Sequence, residues 1–142
     1  MSVEENKAII RRLVQEGLNK DNIPLIKEYR AADYVYHNPA GMETRGIQDL
    51  ERRIAILRTA FPDLHIEIED IFGEGDEVAA RLKTSGTFLG KFRDIEPNGK
   101  SFQTRASMFY RFQNGKIVEE FEYMTEPNFF DQVDISWRPG KG

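Results

Sequence analysis

The stretch DYVYHNP, Asp33 to Pro39, carries one of only two histidines in the chain. A histidine with an ordinary pKa of about 6.5 can take and return a proton near neutral pH. His37 is therefore a candidate acid/base. It is equally a candidate for a strand-end residue hydrogen-bonded to backbone before Asn38-Pro39. Tyr34, Tyr36 and Tyr123 could donate phenol hydrogens to an enolate oxygen, as oxyanion stabilisers do. They could also be core rings with one wet end. Tyr123 is the strongest of the three, because it shares a face with Thr125. His65 lies on the polar side of LHIEIE, which suits solvent or a subunit contact. The chain has no cysteine, so thiol nucleophiles, disulfides and thiolate metal sites are excluded. No metal-ligand spacing of His, Asp or Glu is present, and no G-x-S-x-G elbow. The glycines of GEGD and GTFLG lack the strand–loop–helix setting of a phosphate cradle.

These residues need elements to position them. Ser2 and Glu5 form a capping box, and Ile9, Ile10, Leu13, Val14, Gly17 and Leu18 follow at helical spacing. The pattern predicts an amphipathic helix over 3–19, stopped by NKDN. Asn22 caps a second, short helix with Pro24 in its first turn. YVYH is a short extended piece that NPAG breaks. Ile47, Leu50, Ile54, Leu57 and Phe61 mark another helix, ended by Pro62. The period then changes to two. LHIEIEDI and EVAARLKTSGTF are strands, the latter with Val78, Ala80, Leu82 and Thr84 on one face. SFQTRASMFYRF places Phe102, Thr104, Ala106, Met108, Tyr110 and Phe112 on one side. QNGK is a hairpin turn, and IVEEFEYMT returns with Ile117, Phe121, Tyr123 and Thr125 on one face. NFFDQV is a short helix and PGKG a loose end. Helices followed by a run of antiparallel strands predict an α+β domain, with helices packed on one face of a curved sheet. The expected layout is one domain over 1–134 and a tail over 135–142. A cleft at the wide end of such a sheet is the default ligand site.

Composition fits this. Apolar residues make up 39% and aromatic residues 11% of the 142, enough for a core and too many for disorder. The ten Phe and five Tyr suggest bulky core walls or a ring-lined pocket. A net charge of −4 without a basic stripe argues against nucleic acid as partner. No apolar run is long enough for a membrane span, and MSVEENKAII is unlike a signal peptide. The expected location is cytoplasmic.

NKAIIRRLVQEGLNKDN, DYVYHNP, TAFPDLHIEIEDIFGEGDEVAARLKTSGTFLGKF, PNGK and YRFQNGKIVEEF together resemble the SnoaL-like polyketide (ester) cyclases. That family belongs to the superfamily of nuclear transport factor 2, ketosteroid isomerase and scytalone dehydratase. The resemblance runs from about Glu4 to about Val133. It implies a cone-shaped α+β barrel with the N-terminal helices on the concave face of a mostly antiparallel sheet. It implies ring closure by an intramolecular aldol reaction: a proton leaves a carbon flanked by carbonyls, and the enolate attacks another carbonyl. No metal or organic cofactor is implied, only a positioned acid/base in a dry pocket.

Carried onto this chain, the family's catalytic Asp position falls at Thr125 and its Trp position at Phe121. A threonine hydroxyl is no base near neutral pH, though it can hydrogen-bond. Met108 stands where polar residues are common. His37 matches the family's pocket histidine. The implied catalytic set is His37, Thr125 and Tyr123, with Tyr34, Tyr36, Met108, Phe121 and Trp137 around the ligand. Trp137 lies beyond the match and could pack on the body, on a partner subunit or over the pocket mouth. Glu122 and Glu126 alternate away from Thr125 in a regular strand and are expected to point out of the pocket, unless a bulge before Pro127 re-aims Glu126.

Two functions stay open. One is a cofactor-free cyclase acting on a hydrophobic polycarbonyl or aromatic small molecule. The other is a non-catalytic binding or dimerisation module on the same scaffold. Both predict a homodimer or larger oligomer, because an open sheet exposes one face.

Overall fold

The structure is a computed structural model that describes residues 2–137. Helix α1 (Val3–Arg12) opens on the capping box: Ser2 Oγ accepts from Glu5 N, and the Glu5 side chain accepts from Ser2 N. It runs on into a π-helical segment, Leu13–Leu18. The predicted helix over 3–19 is thus present, with a widened last stretch. A Cβ on Gly17 would stand 3.0 Å from Ile26 Cγ1, so glycine lets helix α2 (Ile23–Glu28) close in there. Asn22 caps α2 through its side chain, with Pro24 in the first turn. Asn19 then hooks the helical layer to the sheet, exchanging two 2.8 Å bonds with the backbone of Ile66.

Strands β1 (Arg30–His37) and β2 (Glu43–Arg45) come next, then helix α3 (Ile47–Ala60). Strands β3 (His65–Glu74), β4 (Glu77–Thr87), β5 (Ser101–Gln113) and β6 (Lys116–Met124) follow, and helix α4 (Phe129–Gln132) is the last element of the described residues. The six strands form one curved sheet in the order β2-β1-β6-β5-β4-β3. All pairings are antiparallel except β1 with β6. The sheet does not close on itself. β2 carries no sequence signal because Glu43-Thr44-Arg45 is a short polar edge pairing on one side only.

One face of the sheet is covered by α1 and α3. Ile9, Ile10, Leu13 and Val14 pack with Val78, Ala80, Leu82, Ala106, Met108, Tyr110 and Phe112 in the main core. The faces predicted for β4 and β5 are the buried ones. A second core cluster gathers Phe61, Phe88, Phe92, Phe102, Phe129 and Phe130, with Val133 and Ile135. Ile135, placed in the expected tail, is a core residue; the PGKG segment lies outside the described residues. The β4–β5 connection crosses the end of α3 so closely that a Cβ on Gly90 would meet the Thr59 carbonyl oxygen at 2.0 Å. No helix among the described residues is long and apolar enough to cross a membrane.

β6 departs from the expected alternation. The Asn114-Gly115 turn has positive φ at both residues and sets Gln113 opposite Lys116. Phe112 then pairs with Ile117, but Arg111 pairs with Glu119. Val118 is an extra residue, a β-bulge, and every side chain after it changes face. Ile117 stays in the core, while Glu120 and Glu122 turn inward and Phe121 and Tyr123 turn outward.

Glu120 is compensated. Its carboxylate accepts from Arg30 Nη2 at 3.3 and 3.4 Å, and Arg30 Nη1 donates to the Ile26 carbonyl at 2.9 Å. Both side chains are buried. Removing one partner strands a charge in the interior, which costs about 3–5 kcal/mol; replacing both with apolar residues costs far less. Urea denaturation is expected to show Glu120→Leu and Arg30→Met each strongly destabilising, with the double variant recovering most of the loss.

Candidate functional site

A cavity of about 600 Å³ opens between α3, the end of β6, the β1–β2 connection and α4. A smaller chamber of about 140 Å³ lies deeper, against the inward faces of β4 and β5. Tyr36, Arg53, Leu57, Glu122, Met124 and Phe129 line both and form the boundary between them.

Glu122 is the carboxylate in this position. The Val118 bulge turns it inward, opposite Met108 of β5. Its Oε1 accepts a short hydrogen bond from the Tyr36 hydroxyl, and Oε2 has no hydrogen-bond partner among the described residues. Burial pushes the Glu122 carboxyl above the usual carboxylate range; the nearby Glu120 pushes the same way, while Tyr36 and Arg53 oppose it. Tyr36 is held well above its ordinary pKa, chiefly by burial and then by Glu122, so it remains a donor.

Arg53 organises the surroundings. Its Nε donates to Asp49 Oδ2 at 3.0 Å and its Nη2 to the Tyr34 hydroxyl at 2.7 Å. Its guanidinium lies 3.6 Å from the Tyr36 ring centroid, a close cation–π contact. Asp49 and Arg53 are one helical turn apart on α3, so a single side of the helix carries both. Tyr34 and Tyr36 are two apart on β1, so both face inward. Burial raises the Tyr34 pKa to about 12, which keeps that ring neutral beside Arg53. The arrangement is a carboxyl with a raised pKa, a phenol donor and a fixed cation around one hollow. Among the described residues no group of three or more His, Asp or Glu side chains could hold a metal ion.

The residues named from sequence divide between the two faces of the sheet. Tyr36 and Trp137 line the outer cavity, and Met108 lines the inner chamber. Tyr34 is buried and reaches the site only through Arg53. His37 does not line either space. Its ring stacks on Phe121 at 4.1 Å on the outer face, and its Nε2 lies 2.7 Å from Glu119 Oε2. Glu119 also accepts from Arg111; the His37 bond and then Arg111 hold its carboxyl below the usual range. Tyr123 is 56% exposed on that same outer face. Thr125 lies beyond the last residue of β6 and is exposed. The inward wall expected from Phe121, Tyr123 and Thr125 is therefore corrected to Glu120, Glu122 and Met124, because the bulge inverts the alternation. Glu126 is exposed at the cavity mouth, bonded to Asn128. The outward direction expected for Glu122 is likewise reversed. The missed signal was EE-x-E in a strand otherwise fit for burial: three carboxylates across both faces mean that at least one goes inside.

Comparison with known proteins agrees with this fold. The SnoaL-like polyketide cyclase family model matches residues 8–133. AclR from Streptomyces galilaeus, a candidate hydroxylase, is 26% identical, superposes with a TM-score of 0.83, and the match covers 94% of this chain and 98% of that one. A protein of Jannaschia sp. CCS1 assigned to the SnoaL-like polyketide cyclases is 19% identical with a TM-score of 0.84, covering 95% and 94% of the two chains. IdmH from Streptomyces antibioticus, a candidate polyketide cyclase, is 24% identical with a TM-score of 0.78, covering 91% and 98%. No curated protein sequence matches this chain. With the family model spanning most of its length and the neighbours sharing its helices-on-sheet architecture, the chain belongs to the SnoaL-like polyketide cyclase family.

Proposed function

We propose that this chain catalyses a cofactor-free, intramolecular aldol-type cyclisation of a hydrophobic polycarbonyl or aromatic substrate, with Glu122 as the acid/base. The observation that carries this is a carboxyl with one free oxygen facing a largely apolar cavity, its pKa raised by burial. A carboxylate shifted upward is a stronger base than one in water, and general acid–base catalysis works best with a pKa near the operating pH. Glu122 takes a proton from a carbon flanked by carbonyls and becomes the acid. The enolate carbon forms a bond to a second carbonyl carbon, whose oxygen takes the electron pair. Glu122 returns the proton to that alkoxide and is restored. Arg53, held by Asp49 and Tyr34, offsets the negative charge as it moves from carboxylate to enolate oxygen. Tyr36 orients the base.

The chemistry is tested by deuterium uptake at the central carbon of 1-phenyl-1,3-butanedione, followed by NMR above the buffer rate. Glu122→Gln is expected to lose about 10²–10⁴-fold, the usual share of a general base. His37→Ala should stay within about twofold of wild type, because the imidazole lies across the sheet. Retained exchange in Glu122→Gln rejects the assignment. Tight binding of the dione by a wild type that exchanges nothing favours the binding-module reading.

The raised Glu122 pKa also fixes a stability trend. A group whose pKa is higher folded than unfolded contributes its stability at low pH and loses it as pH rises through the folded value. At pH 7–8 the Glu122 charge therefore opposes folding. Glu122→Gln should melt higher than wild type there, with the difference shrinking as pH falls toward 4. A lower melting temperature at pH 8 would show that the carboxylate is not held against its desolvation cost.

The outer face of the sheet is proposed to be covered by a second copy of the chain. Phe72, Ala79, Phe109, Phe121 and His37 pair in register, forming one row straight across five strands. Phe72 and Phe109 are 64% and 46% exposed, more than isolated surface rings require. The flanking rows hold acids and bases already paired, Asp70 with Arg81, Glu69 with Arg105 and Glu119 with Arg111. Such a face does not repel its own copy. Sedimentation at micromolar concentration should show a dimer, and Phe109→Glu should shift it to monomer. A monomeric wild type would refute the contact.

A further inference from the structure

The proposed chemistry uses the boundary between the two cavities and leaves the inner chamber unexplained. That chamber has a composition of its own. Leu50 and Ile54 of α3 line it together with Leu82, Phe102, Ala106 and Met108 of the sheet. Its charged lining holds Arg30 and Glu120, which neutralise each other at 3.3 Å, the boundary pair Arg53 and Glu122, and Arg58, whose guanidinium donates to the backbone carbonyls of Pro62, Leu64 and Leu18. An ionic group entering there would lose its hydration and meet charges already engaged with protein partners. The outer cavity differs in kind: Phe92, Phe129, Phe130 and Trp137 line it, a ring-rich wall suited to a planar aromatic portion.

We infer that the inner chamber is a specificity pocket for a neutral, unbranched apolar arm of the substrate, carried on the carbonyl next to the carbon that meets Glu122. The inference rests on the acid/base reading for that orientation and adds the substrate's shape: ring outward, reacting carbon at Glu122, alkyl arm inward. At about 140 Å³ the chamber is close to the roughly 150 Å³ apolar cavity that accepts benzene, so the arm ends at about six carbons. Ala106 and Met108 are among the residues that line the inner chamber and not the outer one, so changing their sizes varies its depth without touching the outer cavity.

The test is calorimetric binding of 1-phenyl-1,3-diketones whose alkyl arm grows one carbon at a time from methyl to octyl. In wild type each methylene is expected to tighten binding about fourfold, until about six carbons, and no further. Ala106→Leu fills part of the chamber, so its rise should stop about three carbons earlier while the methyl probe binds within twofold of wild type. Met108→Ala enlarges the chamber and should extend the rise by about three carbons; it keeps the question open to test if Ala106→Leu folds poorly. The same break point in all three proteins, an unbroken rise, or no binding of any probe overturns the inference. Glu122→Gln separates the two ideas. A length-dependent rise with no exchange in wild type removes the acid/base role and leaves the chamber standing. Exchange lost in Glu122→Gln with a flat length series removes the chamber alone.

Discussion

The extra residue at Val118 decides which face of β6 is which. Side chains alternate across a strand with period two, so one inserted residue exchanges interior and exterior for everything after it. Before the bulge, Ile117 sits in the core; after it, Glu120 and Glu122 enter the interior and Glu119, Phe121 and Tyr123 leave it. The inward turn of Glu122 and the outward turn of Phe121 and Tyr123 both follow from that single irregularity. Bulges recur beside active sites for this reason: they re-aim a side chain without changing the fold.

Two carboxyls carried into the interior fare differently. Glu120 meets Arg30 and forms a buried ion pair, whose desolvation is offset by attraction and hydrogen bonds. Glu122 meets a neutral phenol, and the nearest cation, Arg53, is already bonded to Asp49 and Tyr34. Its charge is only partly compensated, which is why its pKa moves up while Glu119, bonded to His37 and Arg111 outside, moves down. One strand thus holds two carboxylates, three residues apart, with opposite shifts. A group kept in an environment that disfavours its charge costs stability and gains reactivity, the trade commonly found at functional sites.

The scaffold makes that environment from short-range rules. α3 presents Asp49 and Arg53 from successive turns, and β1 presents Tyr34 and Tyr36 from alternate positions. The parallel pairing of β1 with β6 brings Tyr36 level with Glu120 and within reach of Glu122. None of these elements holds the site alone. The hydrogen bond between Tyr36 and Glu122 spans 86 residues of sequence.

Local pattern was enough for much of this protein. The Ser2–Glu5 cap, the Asn22 cap, the apolar stripe of α3, the buried faces of β4 and β5 and the Asn114-Gly115 turn all depend on neighbours within a few residues, and each was legible in the sequence. So was the family, from segments spread along the chain. Tertiary structure alone decided the site. Whether a strand carries a bulge depends on how it pairs with β5 and β1, and nothing in IVEEFEYMT marks Val118 as the extra residue. The regular alternation places Tyr123 and Thr125 inside with His37 opposite; the paired strands place Glu122 there, with Tyr36 and Arg53, and leave His37 stacked on Phe121 outside. Residue types and their order set which elements form, because propensity and periodicity act locally. Which carboxylate faces the hollow is set by register, a property of pairs of strands.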